Sequence, residues 1–344
     1  MALPLIDVSA LLADEAHDSD RLAVGLEIDA ACRDSGFFLV TGHGIEPQLR
    51  DDLERLAREF FALPEATKAA IAMHRGGVAW RGWFPVGDEL TSGEPDRKEG
   101  IYFGAELAPT DPRVLARAPL HGPNLFPSTP ARLGAVVLGW IDQVSALGQT
   151  LLQGLALGLG IAPDWFATHL TTDPTLLFRI FHYPPGDTDS WGVGEHTDYG
   201  LITLLAQDRH GGLQVRTRGT WVDVPADPYV FVVNIGDMLE KMTGGLYRSN
   251  PHRVRNLSGR DRLSFPLFVD PSWDARVTPL PEAAFAGAVL TDAGKADKVD
   301  EADKVDKDYR WDGQSVHAWE GVYGDYLSAK VAKVFPQLAA ALRG

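Results

Sequence analysis

In the stretch WGVGEHTDYGLITLLAQD, His196 and Asp198 stand two positions apart. On an extended strand, residues i and i+2 share a face, so an imidazole and a carboxylate at this spacing can meet one cation. A His-x-Asp pair also arises often by chance and carries little alone. His252, in SNPHRVRN behind a proline, adds a third donor on an expected strand. Two imidazoles and one carboxylate are the donor set of a non-haem Fe(II) facial triad. Such a triad leaves the opposite side of the ion open to a chelating co-substrate and to O₂. Arg262 and Ser264, in RLSFPLFVDP, again share a strand face. A guanidinium binds a carboxylate through two parallel hydrogen bonds, and a serine hydroxyl adds another donor. Beside the metal, this pair suits the far carboxylate of a dicarboxylic co-substrate. The plainer alternative is an arginine paired with one of the chain's own acids.

The remaining histidines lack this spacing. His17, His74, His121, His169, His210 and His317 have no ligand-spaced neighbour, and His43 in TGHGI reads as structural. His182 precedes Tyr183, and alternation sends the two side chains to opposite faces.

The elements that must position these residues are legible in outline. LPLIDVS and FFLVTG read as short strands, with a helix from Ser19 to Ser35 between them that stops at Gly36. Pro47 to Leu63 is periodic, with Leu49, Leu53, Leu56 and Phe60 on one helical face. Pro64 starts a further helical stretch. Residues 75–104 are rich in Gly and aromatics and are not expected to be regular throughout; Trp80, Trp83 and Phe84 there line a cavity or cap the core. Residues 130–170 are helical, and the apolar run Val136 to Ile161, broken by Asp142, Gln143, Gln149 and Gln153, reads as a core helix rather than a membrane span. From residue 175 the texture changes to strands: LLFRIFHYPP, LITLLAQD, GGLQVRT, WVDVPA, YVFVVNIG, YRSNPHRVRN and RLSFPLFVDP. Short strands punctuated by Gly, Pro and Asn indicate an antiparallel sandwich or barrel. Residues 291–308 carry the tandem ADKVD repeat and read as a solvated loop or polar helix. An amphipathic helix is expected from about Tyr323 to Leu342.

Composition sets bounds on partners. The chain has 344 residues, 45% hydrophobic and 23% charged, which is enough for a sizeable core without disulfides. A formal net charge of −15 argues against a broad nucleic-acid or anionic-membrane surface. Cys32 is the only cysteine and falls on an apolar helix position, so it is expected to be a buried structural thiol in a reducing, cytoplasmic compartment. The acidic, non-basic N-terminus does not read as a signal peptide.

Together, SGFFLVTGHGI, FFALPEATK, EPDRKEGIYFG, FRIFHYPP, GEHTDYGLITLLAQD, GGLQV, VVNIGDMLEKMTGG, YRSNPHRV and RLSFPLFVDP resemble the 2-oxoglutarate/Fe(II)-dependent dioxygenases of the isopenicillin N synthase-like superfamily, across nearly the whole chain. The resemblance implies a mainly β fold with flanking helices (α+β), built on a distorted double-stranded β-helix (jelly roll). It implies Fe(II), 2-oxoglutarate as co-substrate and O₂, and a small-molecule substrate that is hydroxylated, desaturated or cyclised with release of succinate and CO₂. Carried over residue by residue, His196, Asp198 and His252 match the iron ligands, while Arg262 and Ser264, with Tyr183, match the 2-oxoglutarate site. Asn234 matches a structural position near the metal. Phe268, Arg81, Tyr102 and Phe103 match segments that border the substrate pocket. Residues 1–115 would form an N-terminal helical and strand region and residues 116–344 the jelly-roll core, joined as one compact unit. Two other readings share these residues. In one, resembling isopenicillin N synthase itself, the Arg-x-Ser pair holds the substrate and no 2-oxo acid is consumed. In the other, the jelly roll binds metal without catalysis, as a sensor or binding module.

Overall fold

The computed structural model describes residues 2–186, 190–285, 310, 312–336 and 339–340. The charged repeat at 291–308 lies outside the described residues. Strands run β1 Leu5–Asp7, β2 Phe37–Thr41, β3 Gly82–Phe84, β4 Glu99–Gly104, β5 Pro174–Tyr183, β6 Val193–His196, β7 Ile202–Gln207, β8 Leu213–Thr217, β9 Thr220–Asp223, β10 Phe231–Ile235, β11 His252–Val254 and β12 Arg262–Ser272. Helices are α1 Ser9–Leu12, α2 Asp18–Asp34, α3 Pro47–Phe61, α4 Glu65–Lys68, α5 Pro112–Leu115, α6 Leu133–Gly158, α7 Trp165–His169, α8 Asp237–Met242 and α9 Tyr323–Val334.

The strands form an eight-stranded sheet in the order β1-β2-β10-β7-β12-β5-β4-β3 and a four-stranded sheet in the order β6-β11-β8-β9. Apart from the parallel β1–β2 pair, all their pairings are antiparallel. A cavity lined from both sheets lies between them, which is the arrangement of a distorted double-stranded β-helix. The N-terminal segment is woven into the larger sheet: β1 and β2 extend one edge through β10, and β3 and β4 extend the other through β5.

Period-two alternation positions the site. Along β12, Arg262, Ser264, Pro266, Phe268 and Asp270 line the cavity. Leu263, Phe265, Leu267 and Val269 are buried on the other face. There α6 lies so close that a β-carbon on Gly148 would stand 2.7 Å from Val269. Strand β5 repeats the pattern with Leu177, Arg179, Phe181 and Tyr183 on the cavity side. Helix α6 is long and apolar enough to cross a membrane by composition, yet it packs between the sheet and helices α2 and α3, burying Val137, Trp140, Val144 and Leu151. Cys32 is buried on α2.

The Gly- and aromatic-rich segment is not regular throughout, as expected: only β3 and β4 are strands, extending the sheet beyond β5 with every residue buried. Two local features differ from the sequence expectation. Helix α8 was not anticipated; it fills the space behind VVNIGD and buries Asp237, Met238, Leu239, Glu240 and Met242. Asp198 is not on a strand: β6 ends at His196.

Candidate active site

His196 closes β6 and His252 opens β11, directly across the antiparallel ladder. Their ring centres lie 4.2 Å apart. Asp198, just beyond β6, is turned onto the same spot by side-chain hydrogen bonds rather than by strand alternation. Its Oδ2 accepts from Thr203 Oγ1 at 2.6 Å and from Asn234 Nδ2 at 2.7 Å. Its Oδ1 faces Nε2 of His196 at 3.9 Å and of His252 at 3.7 Å. One donor atom from each of the three residues falls within 4.8 Å of the others. His196 Nδ1 lies 2.8 Å from the Gly194 carbonyl. A carbonyl can only accept, so the proton sits on Nδ1 and the Nε2 lone pair is free for a metal. Burial pushes the His196 imidazole below its ordinary range and, with His196 beside it, brings His252 down to about 4. Burial alone would raise Asp198, but the two imidazoles and the donors from Asn234 and Thr203 outweigh it and hold the carboxyl low. At neutral pH the cluster is thus two neutral imidazoles and one carboxylate, the protonation state that a divalent cation requires.

Arg262 is fully buried on β12, opposite Tyr183 of β5. Its Nε donates to the carbonyls of His210 and Gly211 at 3.2 and 3.1 Å, and its Nη2 to Gln207 Oε1 at 3.3 Å. The Tyr183 ring lies 4.7 Å below the guanidinium. Nη1 is buried with no acceptor. No carboxylate among the described residues pairs with Arg262, so the internal salt-bridge alternative does not hold. The Ser264 hydroxyl is 3.2 Å from the Tyr183 hydroxyl. An orphaned guanidinium N–H beside two hydroxyls, in the cavity that the His–Asp–His cluster also lines, fits the distal carboxylate of 2-oxoglutarate.

The cavity brings together most, but not all, of the residues singled out from the sequence. His196, Asp198, His252, Arg262, Ser264, Tyr183, Asn234, Tyr102 and Phe268 all line it. Arg81 and Phe103 do not. Arg81 is buried behind β4, its Nη2 donating to the Leu120 carbonyl at 2.9 Å, with its guanidinium against Gly104. Phe103 follows cavity-facing Tyr102 on β4, so alternation sends it to the opposite face, where it stacks on Phe126 and Phe178. Trp80, Trp83 and Phe84 are buried in the core without lining this cavity. His182 faces away from the site as alternation requires, bonded to Glu99 at 2.9 Å and Asp261 at 2.7 Å.

Several lining residues were not picked out from the sequence. Arg179 was legible, being the one cation in the apolar strand LLFRIF and on Tyr183's face. Glu89, Thr91 and Lys98 come from an irregular segment with no periodicity to mark them. Asp270, at the end of the cavity face of β12, accepts from the Tyr323 hydroxyl. Leu327, Val331 and Val334 of α9, followed by Phe335, close the cavity.

Comparison with known proteins agrees with this site. Residues 3–129 match the family of the non-haem dioxygenase in morphine synthesis N-terminal region, and residues 174–271 match the 2OG-Fe(II) oxygenase superfamily. A Dictyostelium discoideum protein named as an iron/ascorbate oxidoreductase is 42% identical, over 98% of this chain and 95% of its own length. A 1-aminocyclopropane-1-carboxylate oxidase of the same organism is 33% identical, over 97% of this chain and 95% of its own. Among solved structures, a full-length Neurospora crassa protein in complex with α-KG and 5-formyluracil superposes with a TM-score of 0.74 at 25% identity, covering 98% of this chain and 96% of that one. The chain belongs to the 2-oxoglutarate/Fe(II)-dependent dioxygenases of the isopenicillin N synthase-like superfamily. It is an enzyme of that class, with Fe(II) as its metal and 2-oxoglutarate and O₂ as co-substrates, which sets aside the non-catalytic reading.

Proposed function

We propose that His196, Asp198 and His252 hold the iron, that Arg262, Ser264 and Tyr183 bind 2-oxoglutarate, and that a small organic substrate lies against Tyr102, Arg179 and Phe268. The observation that carries this reading is the single cavity, lined from both sheets, on which the His–Asp–His cluster and the unpaired Nη1 of Arg262 converge. Bound Fe(II) supplies the activation of O₂ coupled to oxidative decarboxylation of 2-oxoglutarate to succinate and CO₂. The protein's own residues bind, orient and exclude water. Thr203 and Asn234 fix which oxygen Asp198 offers. Gln207 and the carbonyls of His210 and Gly211 lock the guanidinium of Arg262, so that its remaining N–H has one direction. Leu327, Val331 and Val334 of α9 shield the substrate side. No general base is needed, because no step of this chemistry begins with deprotonation by the protein.

Two measurements test the assignment. Succinate should form in a one-to-one ratio with oxidised substrate; O₂ uptake without succinate would favour the oxidase reading, in which Arg262 grips the substrate itself. R262Q should raise KM for 2-oxoglutarate about 10- to 100-fold, the range expected for one lost charge-assisted contact. An unchanged KM would remove Arg262 from the co-substrate site.

A further inference from the structure

Arg179 lies on β5 four positions before Tyr183 and on the same face. Four residues of strand span about 13 Å. Register pairs Tyr183 with Arg262, and it sets Arg179 opposite Pro266, between the paired positions Phe181–Ser264 and Phe178–Leu267. The two arginines of the cavity therefore stand at separate points of one wall and do not serve the same ligand group. The Arg179 guanidinium lies 4.0 Å from the centre of the Tyr102 ring and 4.9 Å from that of Phe268. Its nearest carboxylate is Glu89, with Oε1 at 3.8 Å from Nη1, outside hydrogen-bond reach. Both Glu89 oxygens are engaged elsewhere: Oε1 accepts from the Tyr102 hydroxyl and Oε2 meets Lys98 Nζ at 2.9 Å. Lys98 is in turn paired with Asp96. The Nε of Arg179 is buried with no acceptor, and the side chain is only 14% exposed.

A largely buried cation with its Nε donor unmet is costly unless a ligand anion meets it. Stacking on Tyr102 and Phe268 holds the guanidinium plane and leaves its N–H edge for a bidentate partner. We infer that Arg179 receives a carboxylate of the primary substrate, so that the enzyme acts on small organic acids whose apolar body lies along Phe268, Leu327 and Val331. This inference rests on the assignment of Arg262 to 2-oxoglutarate, since it requires a second, separate anion receiver.

The test uses the full chain loaded anaerobically with Fe(II) and 2-oxoglutarate. The visible charge-transfer band of that complex reports the co-substrate site independently; if it fails to form in the wild type, the reading of Arg262 falls first. Calorimetric titration then compares matched acids and primary amides: butyrate and butyramide, phenylacetate and phenylacetamide, 1-aminocyclopropane-1-carboxylate and its amide. At least one acid should bind about 10-fold or more tightly than its amide while the band persists. R179Q should weaken that acid by about 10- to 100-fold and leave its amide and the band within about twofold; R179K should keep part of the preference. Should R179Q not fold, the wild-type comparison and R179K still decide. Equal binding of acids and amides, no binding of any acid, an acid that bleaches the band by displacing 2-oxoglutarate, or an R179Q variant that keeps the acid preference would each overturn the inference.

Discussion

Thr203 and Asn234 both donate to Oδ2 of Asp198, so that Oδ1 alone is left facing His196 and His252. Partners of this kind orient a metal ligand and tune its basicity, and losing one usually costs about 10- to 100-fold in affinity. Asn234→Ala should accordingly weaken Fe(II) binding by about 10- to 100-fold in anaerobic titration; wild-type affinity would mean that Thr203 suffices alone. Asp270 gives a pH signature in the same cavity. Burial, only partly offset by the Tyr323 hydroxyl, raises its carboxyl from an ordinary 3.8 to about 7. Between those values the folded state keeps a proton that the unfolded chain has released. Stability therefore falls as pH rises from about 4 to about 7 and levels off above that. Asp270→Asn keeps an acceptor for Tyr323 and removes this slope. The melting temperature of the variant relative to wild type should climb across the window, by a few kcal/mol of stability at most; parallel profiles would show that Asp270 is ionised throughout. At this scale the sequence was readable where a residue type is chemically committed, as with His196, Asp198, His252, Arg262 and Ser264. It was unreadable for Glu89 and Lys98, whose place in the wall depends on an irregular backbone.

Strands β5 and β12 show why so much of the wall could be anticipated. Their side chains alternate strictly, so fixing Tyr183 and Arg262 also fixes Phe181, Arg179, Ser264 and Phe268. The same rule corrects Phe103, which must face away once Tyr102 faces in. It does not apply to Asp198, which lies past the end of β6 and is placed by hydrogen bonds from β7 and β10. Long-range bonds of that kind leave no trace in local spacing. Helix contacts are similarly hidden. A β-carbon on Gly25 of α2 would lie 2.6 Å from the Gly154 carbonyl oxygen, and one on Gly158 would lie 2.2 Å from the Gly25 carbonyl oxygen. The two helix backbones touch, and a backbone oxygen cannot move aside as a side chain can. Overpacking of this kind costs roughly 1–3 kcal/mol, set against a gain of up to about 1 kcal/mol from replacing a helical glycine. Gly25→Ala should therefore lower the melting temperature by roughly 1–4 °C by differential scanning calorimetry. The Fe(II)–2-oxoglutarate band should be unchanged; a raised melting temperature would show that α2 and α6 can separate without penalty.

At the scale of the whole molecule, the C-terminal helix supplies part of the cavity's lining. Helix α9 presents Leu327, Val331 and Val334 to the cavity, and Phe335 packs edge-on against Phe84 and Tyr102. Polar ties hold the helix in register. Tyr323 donates to Asp270, Tyr326 to Asp237 Oδ2 at 2.7 Å, and Lys330 and Lys333 both to Asp312 at 2.8 Å. The Val334 carbonyl accepts from the Leu90 backbone at 3.1 Å, which joins the helix end to the segment carrying Glu89 and Thr91. The sequence announced an amphipathic helix here but not what its apolar face covers, because that depends on a return across the whole chain to the strands at 174–272. If the helix keeps water from the reacting centre, loosening it should separate co-substrate consumption from substrate oxidation. Tyr326→Phe removes one donor to buried Asp237 and keeps the ring, at a cost of about 1–3 kcal/mol. The expected result is a several-fold higher KM for the primary substrate and more succinate than oxidised product, with KM for 2-oxoglutarate within about twofold, since Arg262 and Ser264 lie at the other end of β12 from Asp270, the residue that Tyr323 of this helix bonds. A succinate-to-product ratio that stays at one would show that the helix supports the fold without sealing the site.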